Sequence, residues 1–126
     1  MENNKNIFEH GYALFIGIRY GHWSANLSPL DGTLRDISSL KSHFTHPEKA
    51  AYKSENVISL TEEAATAKGI INALDQLNQM AKKDAEATVI IYYSGHGETD
   101  GKNYFLVPYD FELEKWQDEL KGGLKK

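Results

Sequence analysis

A histidine between two glycines closes a run of strand-forming residues: Ala87-Thr88-Val89-Ile90-Ile91-Tyr92-Tyr93 ends in Ser94-Gly95-His96-Gly97. Flanking glycines let a backbone turn sharply and pass close to a ligand while the imidazole projects from the strand end. Imidazole titrates near working pH, so a histidine placed there suits general acid or base catalysis. The same residues fit a histidine that merely sits in a glycine-rich turn with its ring bonded to backbone, and the tripeptide alone leaves both readings open. His43 and His46 have a spacing that could hold a metal, but no carboxylate cluster accompanies them, so no metal site is expected. Asp36, Glu98 and Asp100 read first as solvated charges, the first on a helix and the others beside a turn. No phosphate-binding glycine loop, serine elbow or carboxylate pair is present. The sequence contains no cysteine, which excludes a disulfide, a thiolate metal site or a thiol nucleophile supplied by this chain.

These residues need elements to position them. Tyr12-Ala13-Leu14-Phe15-Ile16-Gly17-Ile18 is a continuous apolar run, as expected for a strand covered on both faces in a parallel sheet. The stretch from Arg19 to Gly32 is rich in Gly, Ser, Asn and Pro and reads as a loop leaving that strand. Leu34, Ile37, Leu40 and Phe44 recur at helical steps, predicting an amphipathic helix from Thr33 to about Phe44, bounded by Pro47. Asn56 to Leu60 reads as a short strand. Thr66 then caps a second helix whose stripe is Ile70, Leu74, Leu77 and Ala81. Ala87 to Tyr93 is expected to be a central strand, and Tyr104-Phe105-Leu106-Val107 a fourth strand after an Asp100-Gly101 turn. The tail from Leu113 to Leu120 is expected to begin a third helix. Strand alternating with helix predicts right-handed crossovers, hence an α/β fold with a mostly parallel sheet and helices on both faces. In such a sheet reactive groups gather beyond the carboxyl ends of the strands, where 19–36 and 94–103 place their polar residues.

The 126 residues suffice for one domain that buries about two-thirds of its unfolded surface. With 40% hydrophobic and 25% charged residues the composition is that of an ordinary globular protein, which argues against disorder. A net charge of -4 without a basic stripe argues against a nucleic-acid partner. The polar start Met1 to Asn6 is followed by no apolar stretch of signal or membrane-spanning length, so no membrane partner is expected and the cytoplasm is the default compartment.

Three segments, in order, resemble the caspase-like cysteine peptidases, the metacaspase and orthocaspase branch more than the animal caspases. They are Ala13 to Tyr20, Leu30-Asp31-Gly32-Thr33-Leu34-Arg35-Asp36-Ile37, and Val89 to Gly97 trailed by Tyr104 to Asp110. The resemblance covers most of the chain and is far more specific than Gly-His-Gly alone. It implies that His96 is the base of a His–Cys dyad and that Gly97 supplies an oxyanion-hole amide. It further implies that Asp36, with Ser94 lining the same pocket, receives a basic P1 side chain. Animal caspases carry an arginine just before the glycine corresponding to Gly32, where this chain has Leu30-Asp31, so Arg or Lys is the expected P1 residue. The loop after His96 lacks the acidic cluster that resembles a calcium site in some metacaspases, so neither calcium nor another cofactor is expected.

The family's nucleophile follows on the next strand, in an Asp-x-Cys type motif absent from this sequence. The expectation is therefore a single caspase-like domain over 1–126, truncated before the nucleophile strand and inactive alone, whose partners are a peptide or protein substrate and the missing C-terminal part. A sheet edge left unpaired would expose it to dimerisation or aggregation. The alternative is a non-catalytic caspase-like module that binds a protein partner or an active homologue. A third reading, an unrelated α/β binding domain with a structural histidine, fits the ordered segments least.

Overall fold

Every residue of β1 (Gly11–Gly17) is buried, which is why an unbroken apolar run suits it. The computed structural model describes residues 7–19, 30 and 32–111. Most of the loop after Arg19, including Asp31, and the expected third helix lie outside the described residues. β1 pairs in parallel with β2 (Val57–Thr61) on one side and β3 (Thr88–Ser94) on the other, so the sheet order is β2-β1-β3. The expected parallel sheet is present, but β1 is central, and β3 is terminal among the described residues. A β-branched apolar run reports how much cover a strand requires, not which strand lies beside it.

Alternation along β1 divides the core. Ala13 and Phe15 pack with Ile37, Leu40 and Phe44 of α1 (Thr33–Thr45) on one face. Leu14 and Ile16 pack with Ile70, Ala73 and Leu77 of α2 (Ala67–Ala81) on the other. Gly17 lets α1 sit close, because a Cβ there would collide with Ile37 Cγ1. Thr66 caps α2 as expected, its hydroxyl accepting from Gly69 N–H at 3.0 Å. The stripe of α2 is rotated from the expected one: Ala73 is buried, whereas Leu74 is 38% exposed.

Tyr104–Leu106 does not join the parallel sheet. It forms β5, which pairs antiparallel with β4 (Gly97–Thr99) in a separate hairpin. The connection from β3 is too short for a parallel crossover, which needs about a dozen residues or more. The turn is closed by Asp100, whose carboxylate accepts from the N–H groups of Lys102 and Asn103 at 2.8 Å each, and by Gly101 at φ 97°.

At the opposite end of the sheet, His10 Nδ1 lies 2.8 Å from Asp84 Oδ2, and Tyr12 donates its hydroxyl to the same oxygen at 2.8 Å. The bond to Asp84 raises the His10 pKa and the bond to His10 lowers that of Asp84. The raised histidine contributes stability fully present below its ordinary value of 6.5 and lost as pH rises through its folded pKa. The lowered carboxylate contributes stability present above its ordinary value of 3.8 and lost as pH falls through its folded pKa. The clasp is therefore complete between those two values. Thermal melts across pH should show Asp84→Asn losing most relative to the parent inside that window; a difference independent of pH would contradict the pairing.

Candidate active site at the carboxyl ends of the strands

Four features meet where β1 and β3 end. Ile18 N–H donates to the Ser94 carbonyl at 2.9 Å, extending the β1–β3 pairing to the tip of the sheet. The Ser94 hydroxyl lies 3.2 Å from that of Thr33, a buried residue in the first turn of α1. Ser94 is thereby tied to the helix that carries Asp36 one turn further on. Beyond Ser94 the chain passes through Gly95 and the half-buried His96 into β4.

Tyr93 holds this turn. Its hydroxyl donates to the carbonyls of His96 and Val107, each at 2.8 Å, one proton shared between two acceptors. The His96 carbonyl also accepts from Val107 N–H at 3.0 Å. Burial pushes the Tyr93 phenol up to about 12, so the donor persists at any physiological pH. The same ring accounts for Gly95, since a Cβ there would lie 2.5 Å from the Tyr93 hydroxyl oxygen. Neither Gly95 nor Gly97 has a positive φ, so the turn is made without the left-handed backbone. Gly95 answers to a close approach, and a Cβ on Gly97 would meet only the Phe105 carbonyl at an ordinary 3.6 Å.

The hairpin register sets the direction of the Gly97 amide. Because Val107 N–H donates to the His96 carbonyl, Gly97 and Leu106 form a non-hydrogen-bonded pair whose N–H groups point away from the opposite strand. The Gly97 N–H is therefore turned out of the hairpin, immediately after His96.

Asp36 is exposed on α1 and borders a groove of about 600 Å³ with Ser39, Leu40, His43, Phe44 and Tyr92. Tyr92 and Ser94 share the α1 face of β3, but Ser94 is not among the residues that line this groove. The structure thus brings Ser94, Thr33 and His96 to one end of the sheet, with Asp36 exposed one turn further along the helix that Thr33 begins. His43 and His46 both border a second surface pocket, with no group of three or more metal-ligating side chains among the described residues, and the Nδ1 of His46, the C-cap of α1, accepts from Glu48 N–H at 3.0 Å.

Several residues that shape the site carried no signal in the sequence reading. Glu62 follows β2 with φ 50°, a conformation that side chains rarely adopt, and its carboxylate accepts from Arg19 N–H at 2.7 Å. This fixes the chain as it leaves β1. Asp110 accepts from Ala67 N–H at 3.0 Å and Tyr109 N–H donates to the Ala65 carbonyl at 2.8 Å, fastening the end of the hairpin segment to the start of α2. No pattern in the sequence marks Glu62, and Tyr109 and Asp110 appear there only as the end of the third segment of the resemblance.

The family model described as Caspase domain matches residues 10–125. Proteins named Metacaspase-1 from two strains of Cryptococcus neoformans var. neoformans serotype D, JEC21 and B-3501A, are each 30% identical over stretches covering 79% of this chain. Those stretches amount to 24% and 23% of the two relatives, so the chain spans about a quarter of the length of the curated relatives it matches. No helix among the described residues is long and apolar enough to cross a membrane.

Proposed function

The chain belongs to the caspase-domain family, and from that premise we propose that it is the His96-bearing part of a cysteine endopeptidase that cleaves after Arg or Lys, its thiol supplied by a part of the family fold outside this sequence. The observation that carries the reading is the fixing of His96 at the carboxyl end of β3, its carbonyl bound by Tyr93 and Val107, with the Gly97 N–H turned outward beside it. In this reading the imidazole of His96 takes the thiol proton and the thiolate attacks the scissile carbonyl carbon. The Gly97 amide faces the oxygen as it gains charge. Collapse expels the amine, which leaves with the proton held by His96, and water then hydrolyses the thioester. Asp36 and Ser94, on the same face of the sheet, receive the cationic P1 side chain. The cytoplasm is the compartment this reading assumes.

A second reading rests on the absence of cysteine: a non-catalytic module that binds a partner through the same crevice. One set of assays separates the two. The chain alone is expected to show no turnover of an Arg-P1 fluorogenic peptide, and turnover that survives His96→Ala would overturn the site assignment. Joined to a cysteine-bearing C-terminal part of the family fold, the chain should cleave. Asp36→Ala should then lower kcat/KM for Arg and Lys substrates on the order of tenfold to a hundredfold, the worth of a hydrogen bond to a charged group. No cleavage in the joined protein would favour the binding module.

A further inference from the structure

An apolar trough beside α2 has no cover among the described residues, and we propose that it is the seat of the chain's own residues 113–120, packed as a helix alongside α2 and over β3. Val89 and Ile91 form its floor. They pair with Tyr12 and Leu14, which belong to the cluster under α2, so they point to the α2 face of the sheet, where they are 45% and 55% exposed. Its wall is one flank of α2. Ala73 and Leu77 face the sheet, whereas Ile71, 64% exposed, and Leu74, 38% exposed, lie about a quarter-turn round the helix from that arc. In a right-handed crossover from β2 through α2 to β3 this is the flank turned toward β3. A contiguous apolar surface of this kind marks a place where something docks.

The chain itself arrives at the head of this trough. Tyr109 N–H donates to the Ala65 carbonyl at 2.8 Å and the Asp110 carboxylate accepts from Ala67 N–H at 3.0 Å, which ties the chain to the start of α2 just before residues 112–126, outside the described residues. There Leu113, Trp116 and Leu120 recur at steps of three and four, one face of a helix, with charged residues elsewhere and Gly122-Gly123 as a stop. A helix begun at Leu113 starts level with α2 and runs in the same direction. It rises about 10 Å by Leu120, enough to lay its three apolar side chains against Ile71 and Leu74 and over Ile91 and Val89. Because the segment is tethered so close to its seat, its docking is intramolecular and wins over a second copy at micromolar concentration. This docking is independent of the catalytic reading.

Trp116 reports on the docking. Trp23→Phe leaves it the only indole in the full chain, and its emission should lie to the blue of a solvated indole and stay there on dilution. Ile71→Glu and Leu74→Glu should each move that emission to the red. Hydrogen exchange, read on chains that keep Trp23, should find the amides of 113–120 protected in the parent and exposed in both variants. Gln76→Glu, on the opposite flank of α2, should change neither reading, which separates lost docking from a general loss of stability. A Trp116 that emits as a solvated indole in the parent would overturn the proposal, as would burial that survives both Ile71→Glu and Leu74→Glu. Burial that disappears on dilution would assign the seat to a second copy instead. Burial that appears only when a cysteine-bearing part of the family fold is added would assign it to that part, and either result overturns the intramolecular docking.

Discussion

Phe15→Ala should destabilise the chain by about 3–5 kcal/mol, the usual cost of removing a buried aromatic ring and leaving a cavity. Phe15 is fully buried at the centre of β1, with ring contacts to Phe44 of α1 at 5.2 Å and Tyr92 of β3 at 6.4 Å. The substitution therefore unties three elements at once and leaves a void that the rigid strands on either side cannot fill. Folding stabilities of about 5–15 kcal/mol leave little margin for such a loss. Urea denaturation followed by circular dichroism would measure it, with the midpoint falling and the slope unchanged. A loss below about 1 kcal/mol would mean that the α1 face is not packed as described.

Tyr93→Phe should cost about 1–3 kcal/mol, because one buried donor is lost and two carbonyls lose a partner. The loss falls on the segment that carries His96. Hydrogen exchange at Val107 should quicken, since its N–H donates to the carbonyl that Tyr93 also holds. Gly95→Ala should reproduce much of this effect, because its new methyl would displace the Tyr93 ring from those carbonyls. Combining the two substitutions should therefore cost less than the sum of the separate losses. Full additivity would mean that Gly95 and Tyr93 act independently on the turn.

Much of the scaffold was legible from pattern. The unbroken run around Phe15 indicated a strand covered on both faces, the spacing of Ile37, Leu40 and Phe44 indicated α1, and Thr66 marked the start of α2; all three are present. The expectation that His96 follows directly on a strand end also agrees with the structure. Pattern went wrong where it was asked for neighbours. The turn at Asp100-Gly101 and the strand at Tyr104–Leu106 are both present, but residue pattern did not say that this strand pairs with Gly97–Thr99 in a separate hairpin. Leu74 matched a helical stripe by spacing, but the buried arc of α2 centres on Ala73 and Leu77, which pack in one cluster with Leu14 and Ile16 of β1.

The sequence by itself determined the local elements, the position of His96 at the end of one of them and the absence of a thiol, since each follows from residue type and spacing along the chain. Only the tertiary structure decided that β1 lies between β2 and β3 among the described residues, that Tyr93 grips the turn through two carbonyls, and that α1, which carries Asp36, packs on the face of the sheet that bears Ser94. Those outcomes depend on which distant segments pack together, and a residue's own hydrophobicity states how strongly it needs cover without stating what provides it.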